Sequence, residues 1–418
     1  MQRAVKVLFV CYGAGHVEMC LPVLRALRSV QPACETVLLA LTTAFAVARN
    51  AGESPLGYRD FVDGPDGDRA LAYGHELLAG HPQHPQVAPE ESAAYLGFNF
   101  LDWVDAHGEV SAWQRWHASG RQGFLPVQFF AKLLRRIQPD VVVTTNSPRS
   151  EQAAIEAAAG LGIPSLSMVD LFALPGDPYL QRRVHATRIT VFVEATRVNL
   201  MASGVDAARI VVTGNPAMDG LGGLALRRLG RRWLQAKGWE GRHVILWAGD
   251  KEPCDVFPPE WAGLGLAQAV QERLVNWAFT RDDVCLAVRY HPNEWHEFSP
   301  PALHPRIHWS RPDREPLQPV LMAAGQVVVQ GTTVGAQAFV AKKRVVSLRF
   351  SPSVIRSGMD YSELGMAAGA NSLDEMVSLL EQGVRTAEVY PPVGGSPPSA
   401  AAQVAGLVAE LARQGISQ

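Results

Sequence analysis

Short runs of apolar residues recur along the chain and alternate with segments long enough to form helices. The runs lack the polar–apolar alternation of a strand with one face in water, so they are typical of parallel strands buried on both faces. The intervening segments can accommodate right-handed crossovers. The first half contains the runs VKVLFV, TVLLAL, DVVVTT, SLSMVD, ITVFVE and IVVTG, and the second half contains HVILWAG, VCLAVRY, QVVVQG and RVVSLRF. This pattern predicts an α/β protein with open parallel sheets.

A segment rich in glycine and basic residues, 214–242, separates the two series and contains no apolar run of this kind. Two open α/β domains joined by a hinge bind ligands in the cleft at the carboxyl ends of their strands. The predicted division is a Rossmann-like domain over 1–215, a linker over 216–241, a second Rossmann-like domain over 242–390, and a Pro/Gly linker with a C-terminal helix that packs back on the first domain over 391–418.

Composition narrows the class of protein. The chain has 418 residues, of which 47% are hydrophobic and 19% charged, as expected for a globular protein with two buried cores. A formal net charge of −2 gives no general attraction for nucleic acid. The five cysteines include no CxxC pair, which favours reduced thiols. With no recognisable signal peptide and no membrane-length apolar run, the sequence predicts a cytoplasmic location.

The loops that follow strands in the first domain hold candidate catalytic residues. Gly13 and Gly15 follow the first strand, where glycine permits unusual backbone angles and close approach of a ligand. His16 comes next, and we interpret it as a general base or as a group that orients an acceptor hydroxyl; bonding to the local backbone is the alternative. Asp170 follows another strand and can polarise His16, or else cap a helix. Asn146 is a candidate substrate contact at the same sheet edge.

In the second domain, the stretch QGTTVGAQAF contains the most informative loop. Gly331, Thr332, Thr333 and Gly335 place small and hydroxyl residues at a predicted helix start, where free N–H groups and the helix dipole favour an anion. Gln337 lies one turn further along and could reach a ribose hydroxyl. N-capping by Thr333 is the alternative explanation, although it accounts for only one residue of the motif.

Three basic residues follow other strands of the second domain. Lys251 lies in AGDKEP, where its charge could meet a diphosphate. Arg289 and His291 lie in RYHPNE, at a strand end, and are predicted to point to the same diphosphate position as Lys251. Solvated surface positions are the alternative for Arg289 and His291.

Several motifs resemble a known superfamily. The stretches RIVVTGNPAMDGL, RYHPNE and QGTTVGAQAFVAKKRVVSLR resemble the nucleotide-sugar domain of GT-B glycosyltransferases and of the related non-hydrolysing UDP-N-acetylglucosamine 2-epimerases. The opening GAGHVEMCLP resembles glycosyltransferases with a G-x-G-H loop followed by a proline in the helix. The resemblance implies a GT-B fold, in which two Rossmann-like domains face a cleft.

The resemblance also implies roles for particular residues. The loop matched by Gly331, Thr332, Thr333 and Gly335 receives the donor phosphates in these families, and the position matched by Gln337 lies beside the donor ribose. The histidine matched by His16 deprotonates or orients the acceptor. With Lys251 nearby, the loop would stabilise the leaving diphosphate in place of a metal ion, so neither a metal site nor a cofactor is predicted.

The sequence departs from the epimerase pattern at two loops. The epimerases have a Gly-Asp pair where this chain has Asn146 and Ser147, and a His-Arg-Arg-Glu-Asn run where it has AGDKEP. An epimerase needs an acid and a base on opposite faces of the sugar, so a glycosyltransferase is the preferred interpretation. The donor would be a nucleotide-sugar, preferably a UDP-sugar, and the acceptor a glycan, a lipid-linked compound or a small molecule. The alternatives are a nucleotide-sugar 2-epimerase or hydrolase, and a non-catalytic module that binds a glycan or a partner.

The basic segment RRLGRRWLQAKGWEGR allows contact with an anionic membrane, which would suit a lipid-linked acceptor. A solvated linker between the domains is the alternative interpretation.

Overall fold

A computed structural model describes residues 4–80, 84–385 and 399–416, and these form two compact units. The first unit comprises the described residues up to Asp219 together with the C-terminal helix, and the second begins at Gly220. The Pro/Gly stretch predicted as a linker before the last helix lies outside the described residues, except for Ser399.

The first unit contains a parallel six-stranded sheet. Its strands are β1 (Lys6–Tyr12), β2 (Glu35–Leu41), β3 (Val141–Thr144), β4 (Ser165–Met168), β5 (Arg188–Val191) and β6 (Ile210–Val212). They are arranged in the order β2-β1-β3-β4-β5-β6. The helices that precede or connect them are α1 (Ala14–Val30), α2 (Thr43–Asn50), α3 (Gly64–Ala79), α4 (Pro89–His107), α5 (Glu109–Ser119), α6 (Val127–Ile137), α7 (Ser150–Gly160) and α8 (Glu194–Ala202).

The C-terminal helix, Ala400–Ile416, completes this unit. Its apolar side chains, including Val404 and Val408, are buried in the same core cluster as Val17 of α1. Its first turn is capped by Asp219, whose carboxylate accepts hydrogen bonds from the backbone N–H groups of Ala400 (2.9 Å) and Ala401 (2.8 Å). A carboxylate at a helix N-terminus satisfies exposed N–H groups and complements the dipole.

The second unit contains another parallel six-stranded sheet. Its strands are β7 (His243–Gly249), β8 (Val284–Tyr290), β9 (Ile307–Trp309), β10 (Gln326–Val329), β11 (Arg344–Leu348) and β12 (Ala368–Ala370). They are arranged in the order β12-β11-β10-β7-β8-β9. Its helices are α9 (Leu224–Lys237), α10 (Gly265–Phe279), α11 (Leu317–Ala323), α12 (Val334–Val340), α13 (Pro352–Ser357) and α14 (Leu373–Arg385).

Every apolar run identified in the sequence forms a parallel strand, which confirms the predicted α/β class. Strands β9 and β12 were not predicted, because their sequences, IHW and AGA, are not runs of large apolar residues. None of the helices among the described residues is long and apolar enough to cross a membrane.

The segment predicted as a linker is not an extended connection. Most of it forms α9, which packs within the second unit. Gly230 of α9 lies so close to Met322 that a Cβ atom at this glycine would be 2.6 Å from the Met322 Cβ. Trp233 is buried and donates its indole N–H to Glu315 Oε1 at 2.7 Å. The segment forms an amphipathic helix whose polar face is solvated. Its high content of glycine and basic residues is the reason that the sequence did not predict a helix here.

Each sheet reverses its strand order at one point. In the first unit β1 lies between β2 and β3, so the chain crosses to the other side of β1 after β2. In the second unit β7 lies between β8 and β10, with the corresponding reversal. The crevice at such a switch point, outside the carboxyl ends of the strands, is the usual ligand site of an open α/β sheet. The loops after β1 and β3, and those after β7 and β10, are therefore the candidate sites.

Candidate functional site

The turn after β1 delivers His16 to the first switch point. Gly13 has a φ of +94°, a backbone conformation that disfavours other residues, and α1 begins directly after it at Ala14. His16 therefore lies in the first turn of α1. Gly15 has no positive φ, so the expectation of an unusual backbone angle there is wrong. A Cβ at Gly15 would meet no atom within 4 Å, which leaves open space beside the histidine.

His16 is held from one side by residues of the loop after β3 and of α7. Its Nδ1 lies 2.5 Å from the Thr145 hydroxyl and 3.3 Å from Glu151 Oε1. The Thr145 hydroxyl in turn lies 2.6 Å from Glu151 Oε2. Each of the three side chains thus bonds the other two.

The hydrogen bonds assign the tautomer of His16. The Thr145 hydroxyl has one proton, and it donates this proton to Glu151 Oε2. The Thr145 oxygen then accepts from His16, which places the ring proton on Nδ1. Nε2 of the neutral ring consequently carries a free lone pair. A histidine oriented in this way is arranged to accept a proton at Nε2.

Glu151 is fully buried, yet its carboxylate is well supplied with donors. Besides Thr145 and His16, it accepts hydrogen bonds from the backbone N–H groups of Tyr12 (2.7 Å) and Ser147 (3.1 Å). It also lies in the first turn of α7, where the helix dipole favours a negative charge. These contacts offset the cost of burying the charge and join the loops after β1 and β3.

Asp170 and Asn146 form the other side of this site. The Asn146 side chain donates to Asp170 Oδ1 at 3.1 Å and accepts from the Asp170 backbone N–H at 3.3 Å. The other oxygen, Asp170 Oδ2, lies 4.0 Å from His16 Nε2. Asp170 caps no helix, because its Oδ1 accepts from the N–H of Leu171 in an irregular segment. The structure thus brings the three candidate side chains of the first domain, those of His16, Asn146 and Asp170, into one cluster.

The environment shifts the titration of His16. Burial alone lowers its pKa, but the hydrogen bond to Glu151 and the charges of Glu151 and Asp170 raise it by more. The nearby Arg182 guanidinium opposes this increase. The net result is a pKa above the ordinary value of 6.5, so the imidazolium form is stabilised.

Two arginines at this site were not predicted. Arg182 donates from Nη2 to the carbonyl oxygens of Asn146 (2.7 Å) and Ser147 (2.8 Å), which supports the loop after β3. Arg149 has a φ of +70°, which is strained for a residue other than glycine. Its guanidinium lies over the Tyr12 ring at 5.1 Å, and its buried Nε has no hydrogen-bond partner in the part of the chain that the structure describes.

At the second switch point, the loop after β10 is supported from within by Tyr361. The Tyr361 hydroxyl donates to the carbonyl oxygen of Thr332 at 2.8 Å. A Cβ at Gly335 would lie 2.5 Å from the Tyr361 ring, so glycine is required there by packing. The N–H of Gly335 is occupied by the Thr332 carbonyl at 3.1 Å, so its predicted contact with a ligand is not supported.

The outer part of this loop remains accessible. Thr333 is exposed and its side chain forms no capping hydrogen bond, so the N-capping alternative is wrong. Among the described residues, no acceptor bonds the backbone N–H groups of Thr332 and Thr333. Gly331 borders the same turn, and Gln337 is half-buried one helical turn further along.

Lys251 does not present a free charge. Its ammonium donates to Glu297, and its backbone N–H donates to Asp250 Oδ1 at 3.0 Å and Glu294 Oε2 at 3.3 Å. The charge of Lys251, predicted to assist the loop after β10 in binding a diphosphate, is thus already paired with Glu297. From the sequence, Lys251 was expected to present a free positive charge. In the structure it is surrounded by carboxylates from the loop after β8.

Arg289 belongs to the interior of the second unit. It is 8% exposed and donates from Nη1 to Ser310 Oγ and to the Glu315 carbonyl oxygen, both at 2.9 Å. The prediction that it binds substrate is therefore not supported. It is the last residue but one of β8, a strand that is buried on both faces, and its side chain turns towards β9 instead of the loop after β8. His291 does reach the strand end, where its Nδ1 accepts from the Asn293 N–H at 3.3 Å.

Asp250, His291 and Glu294 form a cluster whose ligand atoms lie within 4.8 Å of one another. A histidine with two carboxylates is a donor set that suits a divalent cation. Burial, followed by the hydrogen bond and charge of Glu294, raises the pKa of Asp250 to about 7.

A further buried carboxylate connects the loops of the second switch point. Glu252 accepts hydrogen bonds from the side chains of Gln330 and Ser351 and from the N–H of Ser353 (2.7 Å). Gln330 also accepts the N–H of Asp250 at 2.9 Å. Glu151 and Glu252 were both missed in the sequence. For Glu151 the available signal was a glutamate directly after a strand-end loop, ahead of the alanine-rich segment AAIEAAAG.

No protein-family model matches the sequence, and no curated protein matches it. The chain does match several solved structures in fold. UDP-GlcNAc 2-epimerase from Methanocaldococcus jannaschii has a TM-score of 0.57 at 11% identity, over 97% of this chain and 100% of that one. The enzyme from Neisseria meningitidis, solved with UDP-GlcNAc bound, has a TM-score of 0.54 at 13% identity, over 98% and 100%. MurG from Acinetobacter baumannii has a TM-score of 0.51 at 14% identity, over 97% and 99%.

These neighbours are members of the GT-B superfamily, and the two parallel six-stranded sheets of this chain match theirs. The predicted GT-B fold class is thereby confirmed. At identities of 11–14% the likeness shows the fold alone.

Proposed function

We propose that this chain is a glycosyltransferase that moves a sugar from a nucleotide-sugar, preferably a UDP-sugar, to a hydroxyl group of an acceptor, with His16 as the base. The observation that carries the proposal is the orientation of His16. Its Nδ1 is bound by Thr145 and by a fully buried Glu151, while Nε2 remains available next to Asp170. The structural neighbours support the donor class, since they include a UDP-GlcNAc 2-epimerase with UDP-GlcNAc bound.

In the proposed reaction, the acceptor hydroxyl oxygen forms a bond to the anomeric carbon of the sugar. The bond from that carbon to the diphosphate oxygen breaks, and the nucleoside diphosphate leaves with the bonding pair. The hydroxyl proton passes to Nε2 of His16. The resulting imidazolium is stabilised by Glu151 through Nδ1 and by Asp170 on the other side.

The donor diphosphate is assigned to the turn Gly331–Thr333. The N–H groups of Thr332 and Thr333 and the exposed Thr333 hydroxyl are the groups that would bind its oxygens. Gln337 is the candidate contact to the ribose. This arrangement would stabilise the leaving group without a metal ion, which remains a prediction.

A nucleotide-sugar 2-epimerase is the second candidate. The structural neighbours favour it, since two of those described above are UDP-GlcNAc 2-epimerases. The first site also supplies Asp170 and Glu151 as carboxylates around a histidine. Against it, Glu151 is enclosed by donors and fully buried, so it cannot exchange a proton with a substrate. A nucleotide-sugar hydrolase and a non-catalytic module that binds a glycan remain alternatives from the sequence.

The deciding experiment is incubation of the purified chain with a series of nucleotide-sugars, with and without a set of glycan and lipid-linked acceptors. A transferase releases nucleoside diphosphate only when an acceptor is present, and the product is heavier than the acceptor by one sugar. Conversion of the donor sugar without an acceptor would establish an epimerase, and release of free sugar would establish a hydrolase. An unchanged donor under all conditions, despite binding, would indicate a non-catalytic module. His16→Ala is the matched control.

A further inference from the structure

The first unit has a second concave feature, at the edge of its sheet opposite to His16. A cavity of about 570 Å³ lies where β4 and β5 begin and α7 ends. Its wall includes Ser165 at the start of β4, Arg188 at the start of β5 and Ala159 near the end of α7. His16 and Asp170 lie beyond the carboxyl ends of strands in the same sheet, so this cavity is separate from the candidate active site.

The charge of the cavity wall is strongly biased. Arg183, Arg188 and Arg209 line the cavity, and Asp206 is the one carboxylate among the lining residues. The Asp206 carboxylate is already engaged, since it accepts the N–H of Ala208 at 2.9 Å and caps a short helical turn. None of the three arginines forms an ion pair with a carboxylate in the described ranges of the chain.

A histidine adds a polar group to the same wall. His185 lines the cavity, and its buried Nδ1 has no hydrogen-bond partner among the described residues. Burial, with the charges of Arg182 and Arg209, lowers the pKa of His185 and keeps the ring neutral. With three guanidinium groups and one carboxylate, the cavity wall has an excess of positive charge that a bound anion would complement.

We propose that this cavity binds a small, soluble phosphorylated molecule as a second ligand site of the protein. Guanidinium groups recognise phosphate oxygens through paired hydrogen bonds, and three of them border one cavity here. The volume lies within the range of small-ligand sites, about 300–1,000 Å³, and exceeds what a single inorganic ion requires.

The site is tested with pyrophosphate as the probe, titrated into the full chain by calorimetry at low ionic strength. The test variant is Arg183→Gln/Arg209→Gln, which removes two charges from exposed side chains. The control variant is Arg115→Gln/Arg135→Gln, which removes two charges from exposed arginines of the same unit outside the cavity. Since the loop after β10 is also proposed to bind phosphates, the comparison of the two variants is what identifies the site.

The expected result is that one binding event of the wild-type protein is weakened by about tenfold or more in the test variant. The control variant should retain it, and 0.5 M salt should weaken it further. Ala208→Glu, which adds a carboxylate to the wall without touching the core, should weaken it as well. The proposal is overturned if the test variant binds pyrophosphate as tightly as the control. It is also overturned if the arginines affect only binding to phosphatidylglycerol vesicles, because the ligand would then be a lipid surface.

Discussion

The two units have the same kind of sheet, with a single reversal of strand order, but their switch points carry different chemistry. At the first, His16 Nδ1 is bound by Thr145 and Glu151, and Nε2 faces Asp170, so both ring nitrogens of one titratable group have polar neighbours. At the second, the loop after β10 offers backbone N–H groups and the Thr333 hydroxyl, while the neighbouring loops carry Asp250 and Glu294.

The difference shows that the fold determines where the loops meet, whereas the residues in those loops determine the chemistry. Parallel strands bring loops together at the switch point in both units, whatever residues those loops contain. At the first site a buried carboxylate bonds a histidine, an arrangement that suits proton transfer. At the second a glycine-rich turn packed on Tyr361 exposes donors, which suits the binding of an anion.

The sharpest test of this division is His16→Ala. If His16 is the base, turnover should fall by about 10²–10⁴-fold, because positioned proton transfer contributes that much. Donor affinity should change little, since the donor phosphates are assigned to the second unit. The measurements are the turnover number per folded molecule and a calorimetric titration with the donor. Near-normal turnover would make His16 structural, and loss of donor binding would place the phosphates at the first site.

The second prediction concerns Glu151→Gln and the pH profile. His16 must be neutral to accept a proton, so activity should rise with pH through its pKa. Glu151 raises that pKa, and the variant should therefore move the rising limb to lower pH and lower the plateau by about tenfold or more. Asp170→Asn is the matched control and should cause a smaller shift in the same direction. The check is kcat/KM against pH; a limb that stays in place would contradict the role of Glu151.

The third prediction uses the same substitution in both glycine loops. Gly335→Ala should destabilise the protein by about 1–3 kcal/mol, because the new methyl group overlaps the Tyr361 ring. Gly15→Ala should cost nothing in stability, because the methyl group meets no atom within 4 Å and alanine favours the helix. Urea denaturation measures both. Equal stability of the two variants would mean that the packing around Tyr361 is looser than described.

The fourth prediction examines the donor loop with a smaller change. Thr333→Val removes one exposed hydroxyl that caps nothing, so stability should stay within about 0.5 kcal/mol. If the hydroxyl binds a phosphate oxygen, donor affinity should fall by about tenfold, while turnover at saturating donor stays the same. Calorimetry and steady-state kinetics give the two numbers. A variant with lower turnover and unchanged affinity would reverse the roles assigned to the two units.

The last prediction is that removal of divalent metal ions leaves the activity unchanged. Activity should survive EDTA, because backbone N–H groups are proposed to stabilise the leaving diphosphate. The turnover number before and after chelation checks this. Loss of activity that Mg²⁺ or Mn²⁺ restores would instead assign a cation to Asp250, His291 and Glu294, and Asp250→Asn should then abolish the restoration.

Much of the fold could be predicted because the signals were local. The apolar runs gave the long strands, and Gly13 marked the turn that begins α1. Strands β9 (IHW) and β12 (AGA) were not predicted, because neither is a run of large apolar residues. Helix α9 was not predicted, because the segment 216–241 is rich in glycine and basic residues. Helix α9 is recognised only through its buried face, where Gly230 contacts Met322.

The sequence by itself determined which loops follow strands, and so which residues could gather at a sheet edge. Only the tertiary structure decided where their side chains point and what they meet. Glu151 binds His16 across 135 residues of chain, whereas Arg289 turns into the interior and Lys251 pairs with Glu297. Periodicity is a property of neighbouring residues, but a charge takes its role from partners that packing brings near it. Candidate residues could therefore be named in advance, while their partners could not.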